Sequence, residues 1–213
     1  MGPNDFLAAF ADRRASAIIR TSSEASARSA MEAAVRGGFA ICEFTLTTPG
    51  ALALIAEFAA KPGIIVGAGT VLTAIEARDA VNAGARFLVS PVVDAAVIAE
   101  ARNLNVAVMP GCATPTEMLT AHRAGAQLQK LFPAPSGPAW VAQTLGPMPF
   151  LRIVPTSGVT LENASAYLAA GSFAVGFVNS LFDPTDIAAG RFDAVEARAK
   201  AMLKAVGEAP RRG

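Results

Sequence analysis

Histidine and cysteine are scarce in this sequence: the 213 residues include one histidine, His122, and two cysteines, Cys42 and Cys112. The cysteines lack the close spacing of a redox pair or a metal site, and there is no Cys/His cluster. His122 falls in a predicted helix, Thr116–Ala124, where we expect a solvated position. These absences argue against a His/Asp metal site and against acid–base catalysis by histidine, so we expect no metal and no cofactor.

Charged residues are also few, at 16% of the chain, and they nearly cancel to a net charge of +1. With no basic run beyond Arg211 and Arg212, nothing indicates nucleic-acid binding, although a small anionic ligand is compatible. No apolar run approaches the roughly 18 residues of a membrane span, and the N-terminus, with Asp5 and Asp12, is unlike a signal peptide. We therefore expect a cytoplasmic protein with no membrane partner.

Short apolar strands alternate with amphipathic helices along the whole chain. After a predicted helix at Pro3–Arg14, about eight strand–helix units follow at a period of roughly 24 residues. The predicted strands are Ala17–Arg20, Phe39–Thr45, Ile64–Val66, Phe87–Val89, Val106–Met109, Ala126–Phe132, Leu151–Val154 and Phe173–Phe177. We predict parallel strands in a single (β/α)8 TIM barrel over residues 1–213, with an extra N-terminal helix and a last helix from about Ile187 to Val206. The alternative is an open doubly wound sheet, whose strands look the same in sequence.

Two glycine-containing segments are interpreted as tight loops. Gly67-Ala68-Gly69-Thr70 lacks the third glycine and the later acidic residue of a dinucleotide-binding fingerprint. Pro110-Gly111-Cys112 is explained by a tight turn after the fifth strand.

The chain has four lysines, and only Lys130 lies within an apolar strand pattern. Because side chains alternate along a strand, Lys130 shares a face with Leu128 and Phe132. Desolvation there would lower the pKa of the lysine and make its free amine a nucleophile toward a carbonyl. The other interpretation is an edge-strand lysine that deters aggregation or reaches out to water.

In a barrel of this kind, function gathers at the carboxyl ends of the strands. Glu43 shares a strand face with Ile41 and Thr45, and the apolar Cys42 and Phe44 take the other face, which directs Glu43 into the barrel. Facing Lys130, it could pair with the ammonium and move protons, with Thr45 beside it in the substrate-binding set. A purely structural carboxylate is the alternative.

Further candidates follow other strands. Arg20 ends the first strand and is suited to bind a carboxylate or phosphate, or it is a surface arginine. Thr70 could donate to a carboxylate, and Pro91 shapes a cavity wall. The small residues Thr156, Ser157 and Gly158 after the seventh strand, and Asn179 and Ser180 after the eighth, suit a bound phosphate, as in other barrels, or ordinary loops.

The motifs at these strand ends together resemble the 2-keto-3-deoxy-6-phosphogluconate / 4-hydroxy-2-oxoglutarate aldolase family over nearly the whole chain. They are Glu43-Phe44-Thr45-Leu46, Gly67-Ala68-Gly69-Thr70-Val71-Leu72, Phe87-Leu88-Val89-Ser90-Pro91, Pro110-Gly111-Cys112-Ala113-Thr114-Pro115-Thr116-Glu117 and Lys130-Leu131-Phe132-Pro133. The resemblance implies a homotrimeric barrel and a metal-independent class I aldolase that cleaves a 4-hydroxy-2-keto acid to pyruvate plus an aldehyde.

The same resemblance implies roles for individual residues. Lys130 would be the Schiff-base lysine and Glu43 the general acid/base. Thr70 would contact the pyruvate carboxylate, with Pro91 and Phe132 around the pyruvyl methyl. The far end of the substrate, including a phosphate, would lie against Thr156, Ser157, Gly158, Asn179 and Ser180.

Two departures from the family pattern bear on the substrate. Thr47 stands where well-known members carry a carboxylate-binding arginine, so either Arg20 takes over that contact or affinity is weaker. Ser157-Gly158 replaces a pair of glycines, which leaves the need for a substrate phosphate open. Two rival functions also stay open: a phosphate-binding barrel isomerase or synthase, and a non-catalytic barrel that binds a keto acid.

Overall fold

The computed structural model describes residues 1–133 and 137–211, and over these residues eight strands alternate with helices. The strands are β1 (Ala15–Ile19), β2 (Ile41–Thr45), β3 (Ile65–Gly69), β4 (Phe87–Ser90), β5 (Ala107–Cys112), β6 (Gln129–Leu131), β7 (Ile153–Pro155) and β8 (Val175–Phe177). The helices are α1 (Pro3–Arg13), α2 (Glu24–Arg36), α3 (Ala51–Ala59), α4 (Ala74–Asn82), α5 (Ala95–Asn103), α6 (Pro115–Ala124), α7 (Gly137–Leu145), α8 (Ala164–Ala169), α9 (Pro184–Ala188) and α10 (Phe192–Glu208).

The strands form one parallel ring. Their order is β7-β6-β5-β4-β3-β2-β1-β8. The ring closes where the Phe173 N–H, just before β8, donates to the Ile153 carbonyl of β7 at 2.8 Å. The predicted (β/α)8 barrel with an extra N-terminal helix is therefore confirmed, and the open sheet is excluded. In an eight-membered ring, β2 and β6 face each other across the centre.

Two apolar layers fix which side chains point inward. An inner cluster fills the barrel lumen and includes Ile41 of β2 and Leu128 just before β6. An outer cluster between strands and helices takes Cys42, Phe44 and Leu131. Because strand side chains alternate, Glu43 and Lys130 point into the lumen, toward its carboxyl end.

Helix α1 closes the opposite end of the barrel. Its Phe6 and Phe10 are fully buried in the inner cluster, and the Phe6 ring stacks on Phe87 with 4.6 Å between centroids. Phe87 is the first residue of β4, so this packing lies at the amino ends of the strands. The apolar face of this helix thus forms the floor of the lumen.

Side-chain caps start several helices soon after the preceding strand. Thr73 accepts from the Glu76 N–H before α4, and Thr114 accepts from the Glu117 N–H before α6, each with a reciprocal glutamate bond. These capping boxes satisfy N–H groups that a helix leaves unpaired. The resulting short loops hold the strand ends in place. Within the described residues, no helix is long and apolar enough to span a membrane.

Three predicted boundaries are wrong. Gly67 and Gly69 lie within β3 and not in a loop, and Pro110-Gly111-Cys112 lies within β5 and not in a turn. The single predicted last helix is two helices, α9 and α10, because Gly190 adopts a left-handed conformation (φ 69°) between them.

Candidate active site

Lys130 and Glu43 meet in the barrel lumen from opposite strands. Within the sheet, Lys130 of β6 is paired with Gly111 of β5 on one side and with Val154 of β7 on the other. Lys130 is 8% exposed and Glu43 fully buried. Neither carboxylate oxygen of Glu43 has a hydrogen-bond partner among the described residues, so Lys130 does not contact it directly. A buried carboxyl group without a partner is rare in proteins and indicates a place for a water or ligand.

Burial acts on the two groups in opposite directions. Desolvation lowers the pKa of Lys130, and the nearby Glu43 charge opposes that shift. Desolvation raises the pKa of Glu43, against the pull of Lys130 and Arg20. Both shifts favour the neutral forms. The site therefore offers a free amine, which can attack a carbonyl, beside a carboxyl group that can give or take a proton.

Two strand glycines make room for this pair, and sequence reasoning missed both. A methyl group on Gly69 would lie 2.0 Å from Oε1 of Glu43. A methyl group on Gly111, the β5 neighbour of Lys130, would lie 2.3 Å from the Pro91 carbonyl oxygen. Pro91 thereby lies against Gly111, the β5 neighbour of Lys130, and its role as a cavity wall stays a prediction. Glycine in a strand interior is itself the signal, because it often marks such a close approach.

Arg20 and Thr70 are joined at the same end of the barrel. Nη2 of Arg20 donates to Oγ1 of Thr70 at 3.2 Å. Thr70 holds a left-handed backbone (φ 59°), which is uncommon for a β-branched residue. Strained residues cluster at ligand-binding sites, where the surrounding structure compensates for the strain. The Arg20 charge also lowers the pKa of Lys130 and pulls down that of Glu43, so a guanidinium, an amine and a carboxyl group share the site.

A cavity of about 560 Å³ opens beside the lysine. Phe132 lines this cavity, and Nζ of Lys130 lies 5.0 Å from the centroid of its ring. Seven of the predicted site residues line this cavity: Arg20, Phe132, Thr156, Ser157, Gly158, Asn179 and Ser180. The structure thus brings the loops after β7 and β8 together with the strand-end residues.

The loops around this cavity are held by hydrogen bonds. The Ser180 hydroxyl donates to the Val159 carbonyl at 2.6 Å, which ties the β8 loop to the β7 loop. Asn163, which sequence reasoning missed, donates to the Gly158 carbonyl at 2.8 Å and accepts from the Thr160 N–H at 2.8 Å. Oγ1 of Thr156 is buried without a hydrogen-bond partner among the described residues. The Thr156 hydroxyl is therefore available to a ligand.

Thr45 and His122 do not line this cavity. Thr45 is buried, and its hydroxyl shares hydrogen bonds with those of Thr47 (3.1 Å) and Thr48 (3.2 Å), so it supports the β2 loop. His122 is on a helix as predicted, partly exposed, with its ring 4.8 Å from the ring of the exposed Phe150, so it packs against a neighbour as well as contacting solvent.

Comparisons with known proteins point to one family. The family model for KDPG and KHG aldolases matches residues 9–198. The 2-dehydro-3-deoxy-phosphogluconate aldolase of Treponema pallidum is 34% identical over 82% of this chain and 85% of its own. The probable 2-dehydro-3-deoxy-6-phosphogalactonate aldolase of Rhizobium meliloti is 36% identical over 79% of this chain and 81% of its own.

A solved structure of KDPG aldolase from Legionella pneumophila, with pyruvate captured as a covalent carbinolamine intermediate, has a TM-score of 0.83 at 26% identity. The match covers 92% of this chain and 97% of that one. Family model, relatives and fold therefore agree, and the chain belongs to the KDPG and KHG aldolase family.

Proposed function

We propose that this protein is a class I aldolase, a carbon–carbon lyase that cleaves a 4-hydroxy-2-keto acid to pyruvate and an aldehyde through a Schiff base on Lys130. The observation that carries this assignment is the Lys130 amine, buried in the lumen opposite an unpaired Glu43. In this site an amine of lowered pKa can attack a carbonyl, and an acid is in place for the proton transfers that imine chemistry requires.

The reaction begins when the neutral amine of Lys130 attacks the C2 ketone of the substrate. The resulting carbinolamine loses water and becomes a protonated imine. When the C4 hydroxyl gives up its proton, the C3–C4 bond breaks, its electron pair moves into the iminium, and an aldehyde leaves. The remaining enamine takes a proton at C3, and water then releases pyruvate and restores the free amine.

Glu43 moves the protons in this sequence through a water between it and the reacting atoms. In the structure it does not touch Lys130 directly, and its oxygens are free to bond a water. Its burial favours the protonated acid that dehydration of the carbinolamine needs. Because Lys130 and Glu43 are coupled, a pH–rate profile reports apparent pKa values of the pair.

Arg20 and Thr70 are proposed to hold the substrate carboxylate. Thr47 cannot supply a guanidinium, whereas Arg20 is bonded to Thr70 and adds positive charge near Lys130. In this pose Pro91 and Phe132 lie on either side of the pyruvyl methyl group. The loop residues Thr156, Ser157, Gly158, Asn179 and Ser180 receive the far end of the substrate, including a phosphate when one is present.

Borohydride reduction in the presence of pyruvate tests the covalent step. Reduction should fix a pyruvyl group on Lys130, detected by peptide mass spectrometry, and Lys130→Met should abolish both the adduct and turnover. Lys200→Met, at an exposed ion-paired lysine, is the matched control and should keep both. Absence of an adduct in the wild type would favour the isomerase or synthase alternative. An adduct without turnover of any substrate would favour a keto-acid-binding protein.

The substrate is proposed to be 2-keto-3-deoxy-6-phosphogluconate or a close analogue, with 4-hydroxy-2-oxoglutarate second. A panel of phosphorylated and plain aldehydes, run in the condensation direction with pyruvate, will rank these substrates. A phosphorylated aldehyde should have the lower KM if the β7 and β8 loops bind phosphate. We further propose that the whole chain acts as one barrel domain in the cytoplasm.

A homotrimer is the proposed assembly. Four large apolar side chains, Leu52, Leu72, Ile75 and Val92, are 40–65% exposed around β2 to β4. Burial of such side chains against a second copy would remove them from water. Light scattering should give three times the 21.8 kDa chain mass, and Ile75→Glu should dissociate the assembly. A monomeric wild type would rule the trimer out.

A further inference from the structure

A second cavity, of about 500 Å³, lies at the opposite end of the barrel from Lys130. It is lined by residues that precede three neighbouring strands: Arg14 before β1, Arg152 before β7, and Ser172 and Phe173 before β8. The amino ends of parallel strands gather at one face of a barrel. This cavity is therefore separate from the proposed active site, and the aldolase chemistry does not use it.

Three arginines line the cavity, and none of the described residues lining it is acidic. Arg14 is 6% exposed, and among the described residues its guanidinium donates to carbonyl groups at the α10 end, including Ala209 and Pro210 at 3.0 Å each. Burial lowers the pKa of Arg14, and the charge of Arg211, which lines the same cavity, lowers it further. The nearby Asp12 lies 4.0 Å from Arg211 and also pairs with Arg13 at 3.7 Å. Positive charge thus exceeds negative charge here.

The third arginine, Arg152, is only partly engaged. Its side chain makes one long hydrogen bond, from Nη1 to the Gln127 carbonyl at 3.4 Å. It forms no ion pair with any acid in the part of the chain that the structure describes. A guanidinium with free donors can bind a tetrahedral oxyanion through two of them at once.

Ser172 supplies a polar group with no partner. The side chain is 3% exposed, it lines the cavity, and its Oγ has no hydrogen-bond partner among the described residues. The hydroxyl of Ser165 donates to the Ala205 carbonyl at 3.0 Å, whereas that of Ser16 in β1 is, like that of Ser172, buried without a partner among the described residues. Buried hydroxyl groups are generally satisfied, so the one that lines the cavity indicates an absent acceptor.

We propose that this cavity is a second ligand site that binds a phosphate-sized oxyanion, either free phosphate or the phosphoryl group of a metabolite. Arg152 and Arg211 contact the anion, Arg14 adds buried positive charge, and the Ser172 hydroxyl donates to it. The apolar side chains of Phe150, Leu168 and Phe173 line the same cavity and would contact the body of an organic phosphate.

Titration calorimetry of the full chain with inorganic phosphate tests the site, in an Arg20→Gln background that weakens binding at the other end of the barrel. Arg152→Gln should lower the remaining affinity about tenfold or more, because it removes charge-assisted hydrogen bonds. Ser172→Ala should lower it by a smaller factor, and Arg152→Lys should restore part of it. Circular dichroism will establish that each variant is folded.

Arg86→Gln is the matched control, since Arg86 is exposed and precedes β4 on the far side of the ring. It should leave phosphate affinity unchanged. Equal affinities for Arg152→Gln and Arg86→Gln would overturn the proposal, as would no phosphate binding in the Arg20→Gln background. Tighter, Arg152-dependent binding of a sugar phosphate would identify a metabolite as the ligand, and equal or weaker binding would identify free phosphate. Loss of aldolase activity would leave these results untouched, so the two proposals fail independently.

Discussion

Replacing Gly69 by alanine is expected to displace the Glu43 carboxylate without removing it. The added methyl group would lie 2.0 Å from Oε1 and 3.1 Å from Cγ of Glu43, well inside van der Waals contact. Because these atoms belong to a flexible side chain, the carboxylate rotates away and the strand survives. Overpacking of this kind costs about 1–3 kcal/mol of stability. Loss of a positioned general acid/base lowers kcat by about 10²- to 10⁴-fold.

The matched control is Gly67→Ala in the same strand. Its methyl group would lie 2.5 Å from the Phe87 ring and away from the carboxylate. Gly67→Ala should lose at least as much stability in urea unfolding, because the buried Phe87 ring is stacked on Phe6, but only Gly69→Ala should lose kcat in a coupled assay of pyruvate release. In a Glu43→Gln background, Gly69→Ala should cost little more, because the two changes remove the same function. If kcat for Gly69→Ala stays within about threefold of that for Gly67→Ala, Glu43 is not the group that moves the protons.

Four further outcomes follow from the structure. In a Lys130→Met background, Glu43→Gln should stabilise the fold at about pH 8 and not at about pH 4. Burial raises the pKa of Glu43, so the folded Lys130→Met parent keeps this proton at pH values where the unfolded chain has lost it, and the contribution of Glu43 to the parent's stability falls as pH rises above 4.5. This is measured by urea unfolding, and a gain at about pH 4 would contradict it. Arg20→Gln should raise the KM for pyruvate in condensation about tenfold with a smaller effect on kcat, and an effect confined to phosphorylated aldehydes would move Arg20 to the phosphate. Ser180→Ala should raise the KM for a phosphorylated aldehyde about fivefold and leave that for pyruvate unchanged, because it loosens the loop held at Val159. Arg14→Met should lower the free energy of unfolding by about 3 kcal/mol, since buried carbonyls at the α10 end lose a charged donor, and a thermal melt unchanged from wild type would refute that role.

The order of elements and the facing of the key side chains were predictable from local rules. Alternation along β2 and β6 places Glu43 and Lys130 inward whatever the exact strand limits are. Family membership was predictable because the motifs lie at strand ends in a fixed order. Period and alternation depend only on residues near one another in sequence, and both are preserved in the fold.

What sequence reasoning missed depends on contacts between distant residues. Glycine and proline usually break strands, so the Gly69 and Gly111 segments were interpreted as loops. In the barrel these positions are glycines within strands, because Glu43 and Pro91 occupy the space that a side chain there would need. The partners of two further side chains were not predictable either. His122 packs against Phe150, which is distant in sequence, and the Thr45 hydroxyl bonds to Thr48 in the loop after β2, whose path the strand pattern does not give.

The aromatic floor that Phe6 and Phe10 build beneath the lumen closes the amino end of the barrel, so the described residues leave the carboxyl end as the way in and out. Substrates that react with Lys130 and the products that leave it must therefore pass through the carboxyl end of the barrel. After cleavage, the aldehyde lies between the enamine on Lys130 and the opening of the barrel, so we expect it to leave first. Water then enters and releases pyruvate from Lys130. In the condensation direction the sequence reverses, and pyruvate must load before its partner. An ordered kinetic scheme thus follows from the topology alone.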